Sequence, residues 1–216
     1  MISRFLYWNE AVIRELPAIL LASASPRRLE LLTSLGVAVH VRASGVAEGP
    51  RPGETPAQLA ASHAAAKAEA VARSAPGAFV VAADTVVDVD GMALGKPVDA
   101  REARAMLRLL SGRTHLVHTA FVIIDVPGGR RVARSSTSHV TFVALDEAAI
   151  TDYVATGEPF DKAGGYGVQG RGAALVERID GDFYTVMGFP LGLFIRSLHE
   201  LGYTLPLSAA VGAGAA

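Results

Sequence analysis

The sequence predicts an α/β fold with a mixed β-sheet, and three observations lead to this class. Short apolar runs typical of buried strands alternate with longer stretches that have helical periodicity and capping signals. Turn signals at 90–91 and 127–129 join neighbouring strands as hairpins, which excludes a purely parallel sheet. Half of the 216 residues are hydrophobic and 19% are charged, which predicts a globular chain of one large domain or two small lobes.

Composition excludes several classes of protein. The chain has no cysteine, so disulfides and thiol catalysis are excluded, and we expect a cytoplasmic location. The formal net charge of −1 does not favour a nucleic-acid-binding protein. No apolar run reaches the roughly 18 residues that a membrane span needs, so no membrane partner is expected. Charged residues interrupt residues 1–22, which argues against a signal peptide.

The first strand and helix of the core carry an unusual pair of charges. An apolar run at 18–22 predicts a buried strand, Ser25 is a candidate N-cap, and Pro26 suits the first helical position. Arg27 and Arg28 then fall in the first turn, where the helix dipole already places positive partial charge. An anion bound there would remove the conflict, and two solvated arginines would explain it equally well.

The remaining elements follow in order along the chain. Strands are predicted at 37–42, 79–89, 114–125, 131–145 and 173–179. Helices are predicted at 56–73, from a capping box at Thr55, and at 100–110, 147–156 and after Pro190. A loop at 43–53 carries Glu48, and a glycine-rich segment at 158–172 carries Lys162. We expect residues 1–17 to be an N-terminal extension, 18–205 the domain, and 206–216 a disordered tail.

Asp84 is the strongest candidate for a chemical role. It follows the apolar run 79–83, and the chain continues extended after it, so turn formation explains it poorly. A carboxylate at that place is able to bind a divalent ion or take a proton from water. The lysines are further candidates because the chain has 17 arginines and only three lysines: Lys67, Lys96 and Lys162.

Other catalytic and binding motifs are rejected. Gly165, Gly167 and Gly170 match the spacing of a dinucleotide fingerprint, but they neither follow a predicted strand nor open a predicted helix. The six histidines form no metal-binding pattern, and no nucleophile elbow surrounds Ser23 or Ser25. The cationic candidates together suit the roughly four negative charges of a nucleoside triphosphate. Asp84 and Glu48 are the candidates for a metal ion.

Five ordered blocks of sequence resemble the Maf family of nucleoside triphosphate pyrophosphatases over residues 19–202. They are Leu-Ala-Ser-x-Ser-Pro-Arg-Arg at 21–28, Ala-Asp-Thr-Val-Val at 83–87, Gly-Lys-Pro at 95–97, Ser-Gly-Arg-Thr-His at 111–115 and Asp-Lys-Ala-Gly-Gly-Tyr-Gly-Val-Gln-Gly at 161–170. The resemblance implies an elongated mixed sheet flanked by helices in two lobes with a central cleft, similar to inosine-triphosphate pyrophosphatases. It also implies a homodimer.

The same resemblance implies a reaction and a set of residue roles. The reaction is hydrolysis between the α- and β-phosphates to a nucleoside monophosphate and pyrophosphate, with Mg²⁺ or Mn²⁺. Asp84 becomes the proton acceptor, and Glu48 assists the metal. The implied phosphate contacts are Ser23, Arg28, Lys67 and Lys96, and the implied base-selecting residues are Arg27, Thr85 and Gln169. This combination resembles the subgroup that acts on dTTP and UTP, with modified pyrimidine nucleotides as further substrates.

Two alternatives stay open at this point. The family has been linked to inhibition of septum formation, so a nucleotide-binding regulator of cell division is the rival from another class. Within the enzyme class, the rival is a pyrophosphatase that prefers purine or methylated nucleotides, such as inosine or 7-methylguanosine triphosphate. The two enzymes would differ in base preference, and the regulator would bind nucleotide without turnover.

Overall fold

A computed structural model describes residues 14–205, and a seven-stranded mixed sheet forms its centre. The strands are β1 (Arg14–Glu15), β2 (Ile19–Leu21), β3 (Val39–Val41), β4 (Phe79–Val89), β5 (Met92–Leu94), β6 (Thr114–Asp125), β7 (Arg130–Phe142), β8 (Val176–Asp180) and β9 (Tyr203–Thr204). The helices are α1 (Pro26–Thr33), α2 (Pro56–Ala72), α3 (Ala100–Leu110), α4 (Glu147–Ala155), α5 (Phe183–Met187) and α6 (Leu191–Glu200). The predicted α/β class is confirmed.

The sheet order is β3-β2-β4-β6-β7-β8, with β5 pairing the far part of β4. The two pairs that involve β2 are parallel, and the other pairs are antiparallel. The hairpin predicted at Asp90 and Gly91 joins β4 to β5, and both residues adopt positive φ. The sheet is therefore mixed: helices α1 and α2 connect the parallel strands β2, β3 and β4, whereas the later strands pair antiparallel, and two of these pairs, β4–β5 and β6–β7, are hairpins.

Hydrophobic side chains cover both faces of β4 and β6. Alternate residues of a strand point to opposite faces, so even-numbered positions of β4 such as Val80 and Ala82 pack under α2. Odd-numbered positions near its start pack with α1 and α6 in one cluster. Odd-numbered positions near its end, Val87 and Val89, pack with α3 and α4 in a second cluster. The two clusters on this face form the two lobes.

One edge of β4 is open in the middle, and this gap positions the site. β2 pairs with β4 at residues 79–81, and β5 pairs with it at 87–89. Within the described part of the chain, no strand pairs with residues 82–86 on that side. Groups from both faces of the sheet therefore reach the same opening.

The structure corrects several predicted elements. Ser25 occupies the N-cap of α1, but its side chain makes no capping hydrogen bond. The strand predicted at 173–179 is Val176–Asp180, because the preceding segment Gly170–Leu175 is a 3₁₀ helix. The strand predicted at 131–145 ends at Phe142, and helix α5 was not predicted.

The two ends of the described chain lie side by side. Arg14–Glu15 pair in parallel with Tyr203–Thr204. The predicted extension at 1–17 is therefore described only from residue 14, and the predicted tail at 206–216 lies outside the described residues. Among the helices of the described residues, none has the length and apolar character needed to cross a bilayer.

Candidate active site

A cleft of about 270 Å³ lies at the open edge of β4, between the two lobes. It is lined by the β2–α1 connection, the middle of β4, the segment around residue 96, the segment 161–169 and the end of α5. Nine of the ten predicted site residues line it: Ser23, Arg27, Arg28, Glu48, Asp84, Thr85, Lys96, Lys162 and Gln169. The tenth, Lys67, contacts two of these from α2.

The N-terminus of α1 faces this cleft. The described contacts of the Ser25 side chain include no bond to the first turn, and no acidic residue occupies that turn. The local turn is instead supported by Ser23, whose Oγ accepts a hydrogen bond from the Ser25 amide at 3.2 Å. The helix dipole is therefore not offset by the helix's own side chains, and the terminus favours an anion in the cleft.

Arg28 is buried on the same face of the sheet as Thr85. Its Nε donates to the Gly188 carbonyl at 3.0 Å, and its terminal nitrogens donate to Ser23 Oγ at 3.2 Å and Thr85 Oγ1 at 3.0 Å. Burial lowers the pKa of Arg28, while the charges of Asp84 and Glu48 act in the opposite direction. These contacts use three of the five guanidinium N–H hydrogens, so two remain for an anion.

Asp84 lies on the opposite face, where α2 packs against β4. Its Oδ1 accepts from Lys67 Nζ at 2.6 Å, and its Oδ2 lies 3.2 Å from Nδ1 of His63. Asp84 is 5% exposed and Lys67 is 3% exposed. A buried carboxylate is tolerated when it is paired, and here a lysine and a histidine from one helix supply the partners.

Glu48 completes this group from the loop at 43–53. Its Oε1 lies 2.6 Å from Lys67 Nζ, so a single ammonium group joins Glu48 to Asp84. Burial alone would raise the pKa of Glu48, but the hydrogen bond and charge of Lys67, with Lys96 and Arg28, lower it overall. The Glu48 carboxylate therefore faces the cleft next to cations that favour its ionised form, and it shares the Lys67 ammonium group with Asp84.

A second group of ion pairs among the residues that line the cleft consists of Arg27, Asp161 and Lys162. Arg27 donates to Asp161 Oδ2 at 2.8 Å and to the Asp161 carbonyl at 3.3 Å. Lys162 bonds the other carboxylate oxygen of Asp161 and donates to the Glu158 carbonyl at 2.6 Å. Burial raises the pKa of Asp161, but the bonds from Lys162 and Arg27 lower it overall. The Asp161 carboxylate thus binds both Arg27 and Lys162, which are two of the predicted substrate-binding residues.

The structure adds two residues that the sequence did not identify. His63 contacts Asp84, and Asp161 contacts Arg27. A usable signal for His63 existed, because it lies four residues before Lys67 and so on the same face of an alanine-rich helix. No comparable signal existed for Asp161, since its partner is 134 residues away in the chain. Within residues 14–205, no three His, Asp or Glu side chains form a cluster able to hold a metal ion by themselves.

The sequence of this chain matches a known protein family over most of its length. Residues 18–201 match the family model described as Maf-like protein. The chain belongs to the Maf family. A Maf relative named dTTP/UTP pyrophosphatase from Thermus thermophilus is 49% identical over 191 residues, covering 87% of this chain and 96% of the relative. Relatives with the same name from Deinococcus radiodurans and Thermococcus gammatolerans are each 48% identical, cover 86% of this chain, and are themselves covered to 94% and 97%.

Solved structures show a looser likeness to this Maf chain. A nucleoside-triphosphatase, dITP/XTP pyrophosphatase, from Mycobacterium abscessus aligns with 85% of this chain and 98% of its own length. The TM-score is 0.43 and the sequence identity is 17%, so the superposition is too loose for an inference about the site.

Proposed function

We propose that this Maf-family chain is a nucleoside triphosphate pyrophosphatase that acts on dTTP and UTP, and on modified pyrimidine nucleotides. The observation that carries the proposal is the pairing of two carboxylates with several cations at one open strand edge. Family membership and the names of relatives at 48–49% identity support the reaction and the substrate. Removal of non-standard nucleotides would be its cellular role.

The triphosphate is proposed to lie at the open edge of β4, where it is contacted by side chains from both faces of the sheet. Ser23, Arg28 and the N-terminus of α1 contact phosphate from one side, and Lys67 does so from the other. Lys67 has three N–H hydrogens and the two carboxylates use two, so one remains for a phosphate oxygen. Lys96 and Lys162 neutralise charge on the leaving pyrophosphate. In phosphoryl transfer, positioning of the substrate and neutralisation of its charge supply most of the rate enhancement.

Asp84 is the proposed proton acceptor. Water attacks the α-phosphorus, its proton passes to the Asp84 carboxylate, and the bond between the α-phosphorus and the bridging oxygen breaks. Lys67 and His63 occupy one position on each carboxylate oxygen, and each oxygen has a further lone pair for the proton. Because the side chain is held from two directions, it is already oriented toward the cleft.

The donor set fits a divalent cation that is shared with the substrate. Mg²⁺ is usually held by one or two carboxylates together with substrate phosphates and waters. Glu48 and Asp84 converge on one ammonium group, so they supply two such carboxylates, and substrate oxygens would complete the site. When bound, Mg²⁺ or Mn²⁺ would neutralise phosphate charge.

The base would be selected by three residues that line the same cleft. These are Arg27, Thr85 and Gln169, and Asp161 holds the Arg27 guanidinium in place. The side chain of Gln169 offers both a donor and an acceptor, which suits the edge of a pyrimidine. The homodimer, the cytoplasmic location and the domain limits at 18–205 stay part of this proposal.

Product analysis tests the reaction. Purified protein incubated with dTTP or UTP and Mg²⁺ should yield the monophosphate and pyrophosphate in equal amounts, resolved by anion-exchange chromatography and ³¹P NMR. Release of orthophosphate would assign a phosphatase instead. Tight binding without any product would favour the nucleotide-binding regulator, and a preference for inosine or 7-methylguanosine triphosphate would overturn the pyrimidine assignment.

Asp84→Asn tests the proposed proton acceptor. We expect kcat to fall by about 10²- to 10⁴-fold while a non-hydrolysable triphosphate still binds. Asp88→Asn is the matched control, since Asp88 is four residues further along the same strand and is also buried against a histidine, His118, at 3.1 Å. Equal losses of kcat in the two variants would show that Asp84 acts through stability rather than proton transfer.

A further inference from the structure

His63 joins the Asp84 strand to the Glu48 loop through both of its ring nitrogens. Nδ1 lies 3.2 Å from Asp84 Oδ2, and Nε2 lies 2.9 Å from the carbonyl oxygen of Gly49. One turn later on α2, Lys67 makes the parallel connection from Asp84 to Glu48. Helix α2 therefore links β4 to two consecutive loop residues by two side chains spaced four apart.

From this arrangement we infer that His63 is a positioning residue, which holds Glu48 and Asp84 in the relative placement that a shared divalent cation requires. The inference rests on the proposed function, because it assigns His63 a part in that reaction. His63 does not line the cleft. It acts through the two carboxylates and not on the substrate.

The loop that carries Glu48 depends on such contacts. Residues 42–55 contain no helix or strand, so their position is set by side-chain and turn contacts rather than by a sheet ladder. Ser62 of α2 also donates to Glu54 Oε2 at 2.6 Å, near the end of this loop. The contact at Gly49 adjoins Glu48 directly, so its loss would leave the Glu48 carboxylate positioned by Lys67 without the support of His63 at the neighbouring residue.

A purely space-filling role does not explain why residue 63 is a histidine. Apart from Lys67, the buried face of α2 around this residue is apolar, and it includes Ala60, Ala64 and Ala68, all without exposed surface. An imidazole in such a place is costly unless its nitrogens are bonded. Because the Gly49 carbonyl only accepts, Nε2 carries a hydrogen, and the ring is fixed in one orientation between loop and strand. This fixed orientation suits a positioning role.

His63→Leu tests the inference because leucine keeps the volume and the helix propensity but removes both bonds. We expect kcat to fall by about 10- to 100-fold and the Mg²⁺ concentration for half-maximal rate to rise by a similar factor, with KM for nucleotide little changed. Without nucleotide or Mg²⁺, hydrogen–deuterium exchange in peptides covering residues 43–53 should accelerate. His118→Leu is the control, because His118 is likewise buried between a carboxylate, Asp88, and the hydroxyl of Thr137.

The outcomes separate the inference from the proposed function. If wild-type protein forms no monophosphate and pyrophosphate, the proposed function fails, and the exchange measurement still decides whether His63 holds the loop. If wild-type protein is active but His63→Leu keeps its kcat, Mg²⁺ dependence and loop exchange, the positioning role is overturned. If His63→Leu does not fold, His63→Gln decides, since glutamine keeps a donor for Gly49. It should restore loop protection to near the wild-type level, and a failure to do so contradicts the inference.

Discussion

Arg27 and Arg28 are neighbours in sequence, but their surroundings differ. Arg28 is 9% exposed and is fixed by three hydrogen bonds to β4, to the β2–α1 connection and to the residue after α5. Gly188, which accepts one of these bonds, has φ +106° and a Cβ there would lie 3.3 Å from Thr85 Oγ1. Within residues 14–205, the hydrogen bonds of the Arg27 side chain are made by its tip, to Asp161. We therefore expect rigid phosphate contact from Arg28 and base-dependent contact from Arg27.

Alanine substitution at each arginine should separate these roles. Arg28→Ala should lower kcat/KM for all triphosphates by a common factor of roughly 10 to 150, the equivalent of about 1.5–3 kcal/mol for bonds to a charged group. Arg27→Ala should change the ratio of kcat/KM between UTP and ITP. Steady-state kinetics on a panel of triphosphates measures both, and an identical pattern in the two variants would show that the roles are not divided.

Individual site residues are indicated by composition and by their position in the chain. Lys67, Lys96 and Lys162 were selected because lysine is rare in this chain, and Asp84 because of its place on a strand. The partners of these residues were not predictable in the same way. Asp161 contacts Arg27 across 134 residues of chain, which no local pattern indicates, whereas the one signal for His63 was its place four residues before Lys67 in an alanine-rich helix.

Among the elements, α2 is the one on which the carboxylate site depends. Its capping box is formed as predicted: Thr55 Oγ1 accepts from the Gln58 amide at 3.3 Å, and Gln58 Oε1 accepts from the Thr55 amide at 2.9 Å. The helix then presents Lys67 and His63 to β4 three and two turns later. Neither Thr55 nor Gln58 lines the cleft, so the cap should affect stability without affecting chemistry.

Thr55→Ala should lower the free energy of unfolding by about 1 kcal/mol, the usual value of a side-chain cap. Asp99→Ala should cost a similar amount, because Asp99 Oδ1 accepts from the Glu102 amide at 2.8 Å at the start of α3. Urea denaturation measures both, and kcat well below the unfolding transition should stay at the wild-type value in each. A fall in kcat for Thr55→Ala alone would show that the cap also controls the site.

Elements with clear local signals in the sequence were predicted well, whereas the structure of segment 158–175 was not predicted. Strands β4 and β6 are runs of buried apolar residues, and α2 and α3 begin with capping residues, so local physics determines them. The segment 158–175 instead folds as three short 3₁₀ helices. Its shape depends on long-range contacts, such as Gly164, which has φ +70° and where a Cβ would lie 3.0 Å from Val87. Such contacts leave no period in the sequence.

At the scale of the molecule, Asp125 ties the β6–β7 hairpin to the last strand. Its carboxylate accepts from the Gly128 amide, from Arg130 at 2.7 Å and from the Tyr203 hydroxyl at 3.0 Å. Burial alone would raise its pKa, but the bonds from Arg130, Gly128 and Tyr203 lower the pKa of Asp125 overall. The charged form is thus favoured by folding.

Asp125→Asn should therefore destabilise the protein in a pH-dependent way. A lowered pKa in the folded state means that the contribution is present above the unfolded value, near 3.9, and is lost as pH falls through the folded value. We expect the variant to lose about 2 kcal/mol at pH 7, with the difference in Tm shrinking below about pH 4. Calorimetry from pH 7 to pH 3 measures it, and a constant difference would contradict the assignment.

The long ladder between β4 and β6 has a consequence for motion. Ten consecutive residue pairs, from Phe79–Asp125 to Asp88–Leu116, run past the cleft without a register shift. A hinge between the lobes would have to bend this ladder, whose two strands are almost entirely buried. Entry and exit of a substrate should therefore depend on the loops above the sheet, at 43–53 and 158–172. The sheet would then act as a stiff frame, and the pace of turnover would be a property of its loops.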